Sequence, residues 1–243
     1  EIYRDNATSL SNAGSNQTVC ATTATLNANT PAIGTGSWTL ISGSGVITSP
    51  TLPNSGITAL GVGVNIFQWT VVYSTCPPSI STVAIQRDAN PTVSNAGPTQ
   101  SLCATSNTIM AGNTAITGTG LWTLISGSGN ITTPSSETSG ITALATGTNI
   151  FQWTISNGVC PSSTSTVALI NYGTPTSANA GSNQTVCATV ATMAGNTPAV
   201  GTGSWTLISG SGTITTPTLP TTGLTALGVG VNVFQWTISN GVC

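Results

Sequence analysis

Six cysteines are the residues whose type and spacing in this sequence point most directly to a chemistry. They recur at fixed positions in a chain that has no histidine, so they favour disulfides over a zinc site. Disulfides persist in oxidising compartments, and this predicts an extracellular location. The six are Cys20, Cys76, Cys103, Cys160, Cys187 and Cys243.

Other reactive side chains are scarce. Among 243 residues there are two arginines, no lysine, no histidine and four carboxylates, Glu1, Asp5, Asp88 and Glu137. No pair of acids recurs in a way that suits acid–base catalysis or calcium binding, so we expect no enzyme, no catalytic residue, no cofactor and no metal site. So few cations exclude nucleic acid as a partner, and without an apolar run of about 18 residues we expect no membrane insertion.

The cysteines belong to a unit that occurs three times. The string S-N-A-G at residues 11–14 returns at 94–97 and, as A-N-A-G, at 178–181, after shifts of 83 and 84 residues. In each copy a cysteine is followed by W-T-L-I-S-G-S-G, then by F-Q-W-T, and then by a closing cysteine. A unit of this length exceeds the roughly 20 to 50 residues of a solenoid repeat and suits a small β-sandwich domain.

These landmarks predict the domain boundaries. We expect three repeats at residues 11–93, 94–177 and 178–243, preceded at 1–10 by the end of another repeat's last strand plus a linker. The third repeat lacks the final strand that β-branched alternation predicts at residues 79–88 and 163–170 of the first two. Either the chain is an excerpt of a longer array, which we favour, or it is a complete subunit whose N-terminal strand completes a neighbour's last domain.

Composition and alternation predict an all-β fold, because glycine, threonine, valine, asparagine and proline dominate and no helical period is sustained. Phe67, Trp69 and Val71 fall on one face of a strand, and Trp38 and Leu40 share a face of an earlier one. We interpret the tryptophans as core anchors rather than as a platform for stacking sugars. They are Trp38, Trp69, Trp122, Trp153, Trp205 and Trp236.

Two patterns of disulfide pairing are compatible with the spacing. The simpler pattern closes one bridge inside each repeat, where the two cysteines lie 56 or 57 positions apart. An immunoglobulin-like strand order, however, places Cys20 and Cys76 at opposite ends of one domain, too far apart for α-carbons that must lie within about 7 Å. We therefore favour bridges between successive repeats, Cys20 with Cys160 and Cys103 with Cys243.

The motifs N-A-G-S-N-Q-T-V-C-A-T, G-T-G-S-W-T-L-I-S-G-S-G and G-V-N-x-F-Q-W-T-I-S-N-G-V-C-P resemble the tandem immunoglobulin-like repeats of giant cell-surface gliding-motility adhesins of Bacteroidota (SprB-like). The resemblance covers residues 11–243, and it extends distantly to polycystic-kidney-disease-type modules, whose W-D-F-G-D-G signature is missing here. It implies type IX secretion, display as a filament on the cell surface, and a role in adhesion and gliding motility.

These observations lead to one functional hypothesis and two rivals. The first is a stalk segment of an extracellular adhesin filament, with β-sandwich domains arranged as a rod whose partners are the neighbouring repeats of the same chain. The rivals are a fibre subunit that polymerises by donor-strand exchange and a module that binds a glycan or another surface. Since the chain lacks lysine to protect its sheet edges, lateral self-association is a further expectation.

Overall fold

The computed structural model describes residues 1–2 and 4–243. Tyr3, which belongs to the predicted N-terminal strand end, lies outside the described residues, and its neighbours up to Leu10 have no regular secondary structure. The chain forms two compact units. Unit 1 comprises Glu1–Ser94, Thr114–Gly120 and Thr154–Thr164, and unit 2 comprises Asn95–Asn113, Leu121–Trp153 and Ser165–Cys243.

Within the described residues the three sequence copies form strands and turns and no helix, as the sequence predicts. The strands of the first copy are β1 (Gln17–Val19), β2 (Ala24–Thr25), β3 (Thr35–Ser42), β4 (Val46–Ile47), β5 (Gly56–Thr58), β6 (Gly63–Val72) and β7 (Ser79–Arg87). Those of the second are β8 (Gln100–Cys103), β9 (Thr108–Ile109), β10 (Thr119–Ser126), β11 (Asn130–Ile131), β12 (Gly140–Thr142), β13 (Gly147–Ser156) and β14 (Ser163–Tyr172). The third copy contributes β15 (Ala191–Thr192), β16 (Thr202–Ser209), β17 (Thr213–Ile214), β18 (Gly223–Thr225) and β19 (Val233–Ser239).

Each copy builds two sheets. In the first, a four-stranded sheet has the order β1-β7-β6-β3 and a three-stranded sheet the order β2-β5-β4. The second copy repeats this arrangement as β10-β13-β14-β8 and β11-β12-β9. The short first strand pairs in parallel with the last, Gln17 opposite Ile85, whereas the other pairs are antiparallel. This is a tandem array of immunoglobulin-like β-sandwich folds.

The third copy has a smaller first sheet, in which β16 pairs with β19 alone, beside the three-stranded sheet β15-β18-β17. Residues 184–186, which correspond to β1, form no strand. Among the described residues of the first copy, β1 pairs with β7 alone, and the described third copy contains no strand that corresponds to β7.

The core lies between the two sheets of each copy. In the first it joins Trp38 and Phe67 of one sheet to Ile57 of the other, together with Val83 and Ile85 of β7. Period-two alternation positions these residues, because every second side chain of a strand points to the same face. In β6 the buried positions are Asn65, Phe67, Trp69 and Val71.

Leu40 shares the face of Trp38, as predicted, because Trp38 lies opposite Trp69 and Leu40 opposite Phe67 in one unbroken register. Leu40 is nevertheless 38% exposed, and the next residue, Ile41, is 53% exposed. The register of β3 against β6 shifts after Leu40, before Ser42, so the strict alternation ends there. The equivalents Leu124 and Leu207 are exposed to the same degree, 39% each.

Candidate functional site

The two cysteines of the first copy lie at opposite ends of β7. Cys20 directly follows β1, beside the end of β7, where the Asp88 N–H donates to the Val19 carbonyl (2.9 Å). Cys76 lies in the β6–β7 hairpin, just before β7 begins. Nine residues of extended strand separate the two ends, a distance of about 30 Å. A disulfide requires α-carbons within about 7 Å, so this geometry excludes a bridge between Cys20 and Cys76.

The structure instead joins cysteines of successive copies. In unit 1 Cys20 is bonded to Cys160, with a sulfur–sulfur distance of 2.02 Å and α-carbons 4.9 Å apart. In unit 2 Cys103 is bonded to Cys243, with 2.12 Å between the sulfurs and 5.0 Å between the α-carbons. Each bridge spans 140 positions of the sequence and links the segment after a first strand to the hairpin of the following copy.

Hydrogen bonds hold the hairpin of the second copy against the end of β7. Asn157 Nδ2 donates to the Ala89 carbonyl (2.8 Å), and the Val159 N–H donates to Asp88 Oδ2 (3.0 Å). The turn itself is closed by the Cys160 N–H, which donates to the Asn157 carbonyl (3.1 Å). These contacts place Cys160 Sγ 3.6 Å from the Asp88 carbonyl oxygen. The bridge therefore lies within a joint that side-chain to backbone hydrogen bonds also hold together.

Glycine at the tip of this hairpin lets the turn lie directly against Asp88. Gly158 has φ of +52°, and a Cβ there would lie 1.8 Å from Asp88 Oδ2. A side chain at this position would therefore turn the Asp88 carboxylate aside and break its hydrogen bond from the Val159 N–H.

The joint in unit 2 repeats these features. Asn240 Nδ2 donates to the Gly173 carbonyl (2.8 Å), and the Cys243 N–H closes the turn on the Asn240 carbonyl (2.9 Å). Gly241, with φ of +56°, lies so near Tyr172 that a Cβ would be 2.3 Å from the ring. The recurrence of the same geometry with different neighbouring side chains shows that the turn, rather than one carboxylate, defines the joint.

Two cysteines of the described chain form no disulfide, the half-buried Cys76 and the exposed Cys187. Cys76 lies in the hairpin of the first copy with its Sγ 3.3 Å from the Asn6 carbonyl oxygen, and the neighbouring Ser74 hydroxyl donates to Asp5. This is the environment that surrounds Cys160 in the second copy. Cys187 follows residues 184–186 as Cys20 follows β1. The free thiols of Cys76 and Cys187 therefore occupy the positions that Cys160 and Cys20 occupy in the bridged joint.

The six tryptophans lie in the core as tilted pairs and are not available for stacking on a ligand. The ring centroids of Trp38 and Trp69 are 5.1 Å apart, and the pairs in the other copies, Trp122 with Trp153 and Trp205 with Trp236, are 5.0 and 5.1 Å apart. All six side chains are at most 4% exposed. The first tryptophan of each pair donates its indole N–H to a backbone carbonyl, Trp38 for example to Pro53 (3.0 Å). Each pair is thus a buried core element.

Two polar side chains that the sequence reading missed, the buried Asn65 and the half-buried Arg87, tie the last strand to the rest of the first sandwich. Asn65 Oδ1 accepts from the Ser44 N–H (2.8 Å), while its Nδ2 donates to the carbonyls of Gly61 (2.9 Å) and Ile85 (3.3 Å). Arg87 donates to the carbonyls of Leu60 (3.0 Å) and Cys20 (3.4 Å). The signal available for Asn65 was its recurrence two residues before each F-Q-W motif, as Asn149 and Asn232.

The third copy contains a cavity of about 750 Å³ where the other two copies carry their last strand. It is lined by residues from 180–193 and 227–234 and by three core side chains, Met193, Trp205 and Leu224. The side chain of Phe234 is half-buried there, whereas its counterparts Phe67 and Phe151 are completely buried. Among the described residues no group of three or more histidine, cysteine, aspartate or glutamate side chains is arranged to hold a metal ion. No described helix is long and apolar enough to cross a membrane.

No protein-family model and no curated protein matches this chain. Solved structures similar to it include the PKD domain of the KIAA 1837 protein, 23% identical over 33% of this chain and 85% of that chain, with a TM-score of 0.30. A chain of Dpr2 Ig1-Ig2 in complex with DIP-Theta Ig1-Ig3 is 13% identical over 96% of both chains, with a TM-score of 0.42. Immunoglobulin domains 1-5 of Sidekick-1 are 16% identical over 96% of this chain and 57% of that chain, with a TM-score of 0.40.

Proposed function

We propose that this chain is a load-bearing stalk segment of an extracellular adhesion filament, displayed at the cell surface and used in adhesion and gliding motility. The observation that carries the proposal is the pair of disulfides between successive copies. A bridge inside a domain protects that domain alone, whereas a bridge between domains resists separation and bending at the joint. A protein whose task is to transmit force along its length benefits from the second arrangement.

The chemistry of the surface supports the same function. Charged residues make up 2% of the chain, so its surface polarity comes from threonine, serine and asparagine. Attraction between exposed charges is screened by salt, and a fold that depends little on such pairs keeps its stability when ionic strength varies outside the cell. The scarcity of catalytic side chains, together with the burial of the tryptophans, favours a mechanical role over catalysis or sugar stacking.

Single-molecule stretching tests this function directly, because the two bridges overlap in the sequence. With both intact, the shortest covalent path from residue 1 to residue 243 runs to Cys20, crosses to Cys160, returns to Cys103 and crosses to Cys243. That path contains about a third of the residues, so we expect a fully stretched length of about 270 Å when oxidised and about 850 Å when reduced.

The matched control is the double variant Cys20→Ser, Cys103→Ser, which should stretch to the long value without any reductant. Equal lengths for the oxidised and reduced wild-type chain would show that the bridges carry no load and would refute the proposed mechanical role.

A further inference from the structure

The hairpin that lies against the end of β7 contains a reactive dipeptide that the mechanical role does not use. Asn157 is followed by Gly158, and the same pair occurs once more in the sequence, as Asn240-Gly241. Asparagine is a labile residue, and it is most labile before glycine, because glycine has no side chain to shield its main-chain nitrogen. Gly158 is exposed at the tip of the turn, with φ of +52°. The dipeptide is therefore placed where a spontaneous reaction of its own atoms can occur.

That reaction is deamidation through a cyclic imide. The main-chain nitrogen of Gly158 attacks Cγ of Asn157, the bond from Cγ to Nδ2 breaks, and Nδ2 leaves as ammonia with the proton of the Gly158 N–H. Water then opens the imide at one of its two carbonyls and gives aspartate or isoaspartate. Each event converts a neutral amide into a carboxylate, in a chain with four acidic residues.

In the closed joint, hydrogen bonds hold Asn157 at both its side chain and its main chain. Nδ2 donates to the Ala89 carbonyl of the preceding copy (2.8 Å), and the Asn157 carbonyl accepts from the Cys160 N–H (3.1 Å). The residue is half-buried there. Attack on Cγ requires the side chain to rotate towards its own main chain. A bond that fixes Nδ2 to the preceding copy therefore opposes the reaction.

We propose that Asn157 is a modification site, which the closed joint protects and which deamidates when the Cys20–Cys160 bridge is broken. The bridge holds the hairpin beside Ala89. Without it the joint opens more often, and the freed side chain reacts during the time that the joint is open. The inference goes beyond the proposed function, since it concerns the chemistry of the joint and holds whether or not the chain bears load.

The product hinders the joint from closing again. An aspartate at position 157 has no N–H to donate, so its carboxylate faces the Ala89 carbonyl oxygen where a hydrogen bond stood. It also adds a second carboxylate at a turn that already contacts Asp88, whose Oδ2 accepts from the Val159 N–H (3.0 Å). Two negative charges at one joint repel each other, and the chain has no lysine to neutralise them. Deamidation thus turns a reversible opening into a lasting one.

The second pair of asparagine and glycine provides an internal reference. Asn240 Nδ2 donates to the Gly173 carbonyl (2.8 Å), in the joint that contains the Cys103–Cys243 bridge. Loss of the other bridge leaves this joint closed. It should therefore accelerate deamidation at Asn157 and leave the rate at Asn240 unchanged.

The test compares the wild-type chain with the double variant Cys20→Ser, Cys160→Ser, both incubated without reductant at mildly alkaline pH and sampled over several days. Peptide mass mapping measures the deamidated fraction of Asn157 and of Asn240 in the same digest. We expect Asn157 to react about tenfold or more faster in the double variant, and Asn240 to react at the same rate in both chains. Tryptophan fluorescence checks that the repeats of the variant are folded.

Asn157→Asp tests the consequence of the reaction. When reduced chain is reoxidised, this variant should form the Cys20–Cys160 bridge in lower yield than Asn157→Ala, which also lacks the Nδ2 donor but adds no charge. Adding Asp88→Asn to Asn157→Asp removes the opposing carboxylate and should raise the yield at least to that of Asn157→Ala.

Three results would overturn the inference. The first is an equal rate at Asn157 in the wild-type chain and the double variant. The second is a faster reaction at both asparagines, which would mean that the folded repeats, and not the joint, give the protection. The third is an Asn157→Asp variant that forms the bridge as well as Asn157→Ala. The stretched length of the chain depends only on its bridges, so none of these results would change the outcome of the stretching experiment.

Discussion

At the scale of single residues, the tryptophan pairs leave no room for a side chain at two glycine positions. Gly36 lies under the Trp69 indole, and a Cβ built on it would be 2.0 Å from a ring carbon; at Gly203 the distance to Trp236 is also 2.0 Å. Neither glycine has a positive φ, so the requirement is steric and not conformational. The G-T-G-x-W motif, which looks like a flexible loop in the sequence, is partly a packing motif.

Gly36→Ala therefore tests how rigid the core is. The methyl group forces either β3 or the Trp69 ring to move, and we expect the free energy of unfolding to fall by about 3 kcal/mol, the upper part of the usual range for overpacking. Urea unfolding followed by tryptophan fluorescence measures this. In Gly173→Ala, where the nearest atoms to the new Cβ are 3.9 Å away, the change should stay within about 0.5 kcal/mol. Equal effects of the two substitutions would contradict the steric explanation.

The first copy also shows that the repeats are not interchangeable in detail. Trp153 and Trp236 donate their indole N–H to the carbonyls of Asn113 (3.1 Å) and Asn196 (3.2 Å), whereas Trp69 Nε1 has no hydrogen-bond partner among the described residues. Ala28 stands in the first copy where the others have glycine, and it packs against the same core. At Gly195 an added Cβ would lie 3.0 Å from the Trp205 ring, so a methyl group at this position crowds the tryptophan pair.

At the scale of elements, the hairpin between the last two strands of each copy positions the joint. Its tip residue has a positive φ in all three copies, Ser74 (+48°), Gly158 (+52°) and Gly241 (+56°). The first copy accommodates a side chain at this position, where the Ser74 hydroxyl donates to Asp5. The hairpin is thus a docking element with one backbone shape and adaptable side chains.

Gly158→Ala should loosen the contact between the hairpin and the end of β7. The new Cβ displaces the Asp88 carboxylate and with it the hydrogen bond from the Val159 N–H, so we expect a lower yield of the linked Cys20–Cys160 peptide when reduced chain is reoxidised. The matched control is Gly63→Ala, since Gly63 has φ of +97° but no atom within 4 Å of its Cβ position. It carries a conformational cost of about 1 kcal/mol and should form the bridge normally. Similar bridge yields in the two variants would mean that contact with Asp88 does not guide the pairing.

The long strands can be predicted from the sequence, whereas the short strands cannot. The alternation in F-Q-W-T predicts β6 and β13, because a strand that is buried on one face alternates apolar and polar residues. Strands of two residues, such as β4, contain no period to detect. The buried Asn65 could not be assigned a role either, since its partners lie about 20 residues away in both directions and become neighbours only after folding.

The positions of the cysteines are likewise predictable from the sequence only in part. That Cys20 and Cys76 lie at opposite ends of one sandwich follows from strand order and strand length alone. That the hairpin of the next copy meets the end of β7 requires the hydrogen bonds of Asn157 and Val159, which no spacing in the sequence indicates.

At the scale of the whole molecule, the bridges should stabilise the chain far more than their number suggests. Each closes a loop of about 140 residues, for which loop entropy gives a stabilisation of up to about 5 kcal/mol. The double variant Cys20→Ser, Cys160→Ser removes one loop without leaving an unpaired thiol, and we expect a clearly lower midpoint of urea unfolding. Cys76→Ser is the control that alters a cysteine outside both bridges and should unfold at the wild-type midpoint. If the double variant unfolds at that midpoint too, the bridges restrict only the joints and contribute nothing to the stability of the folded repeats.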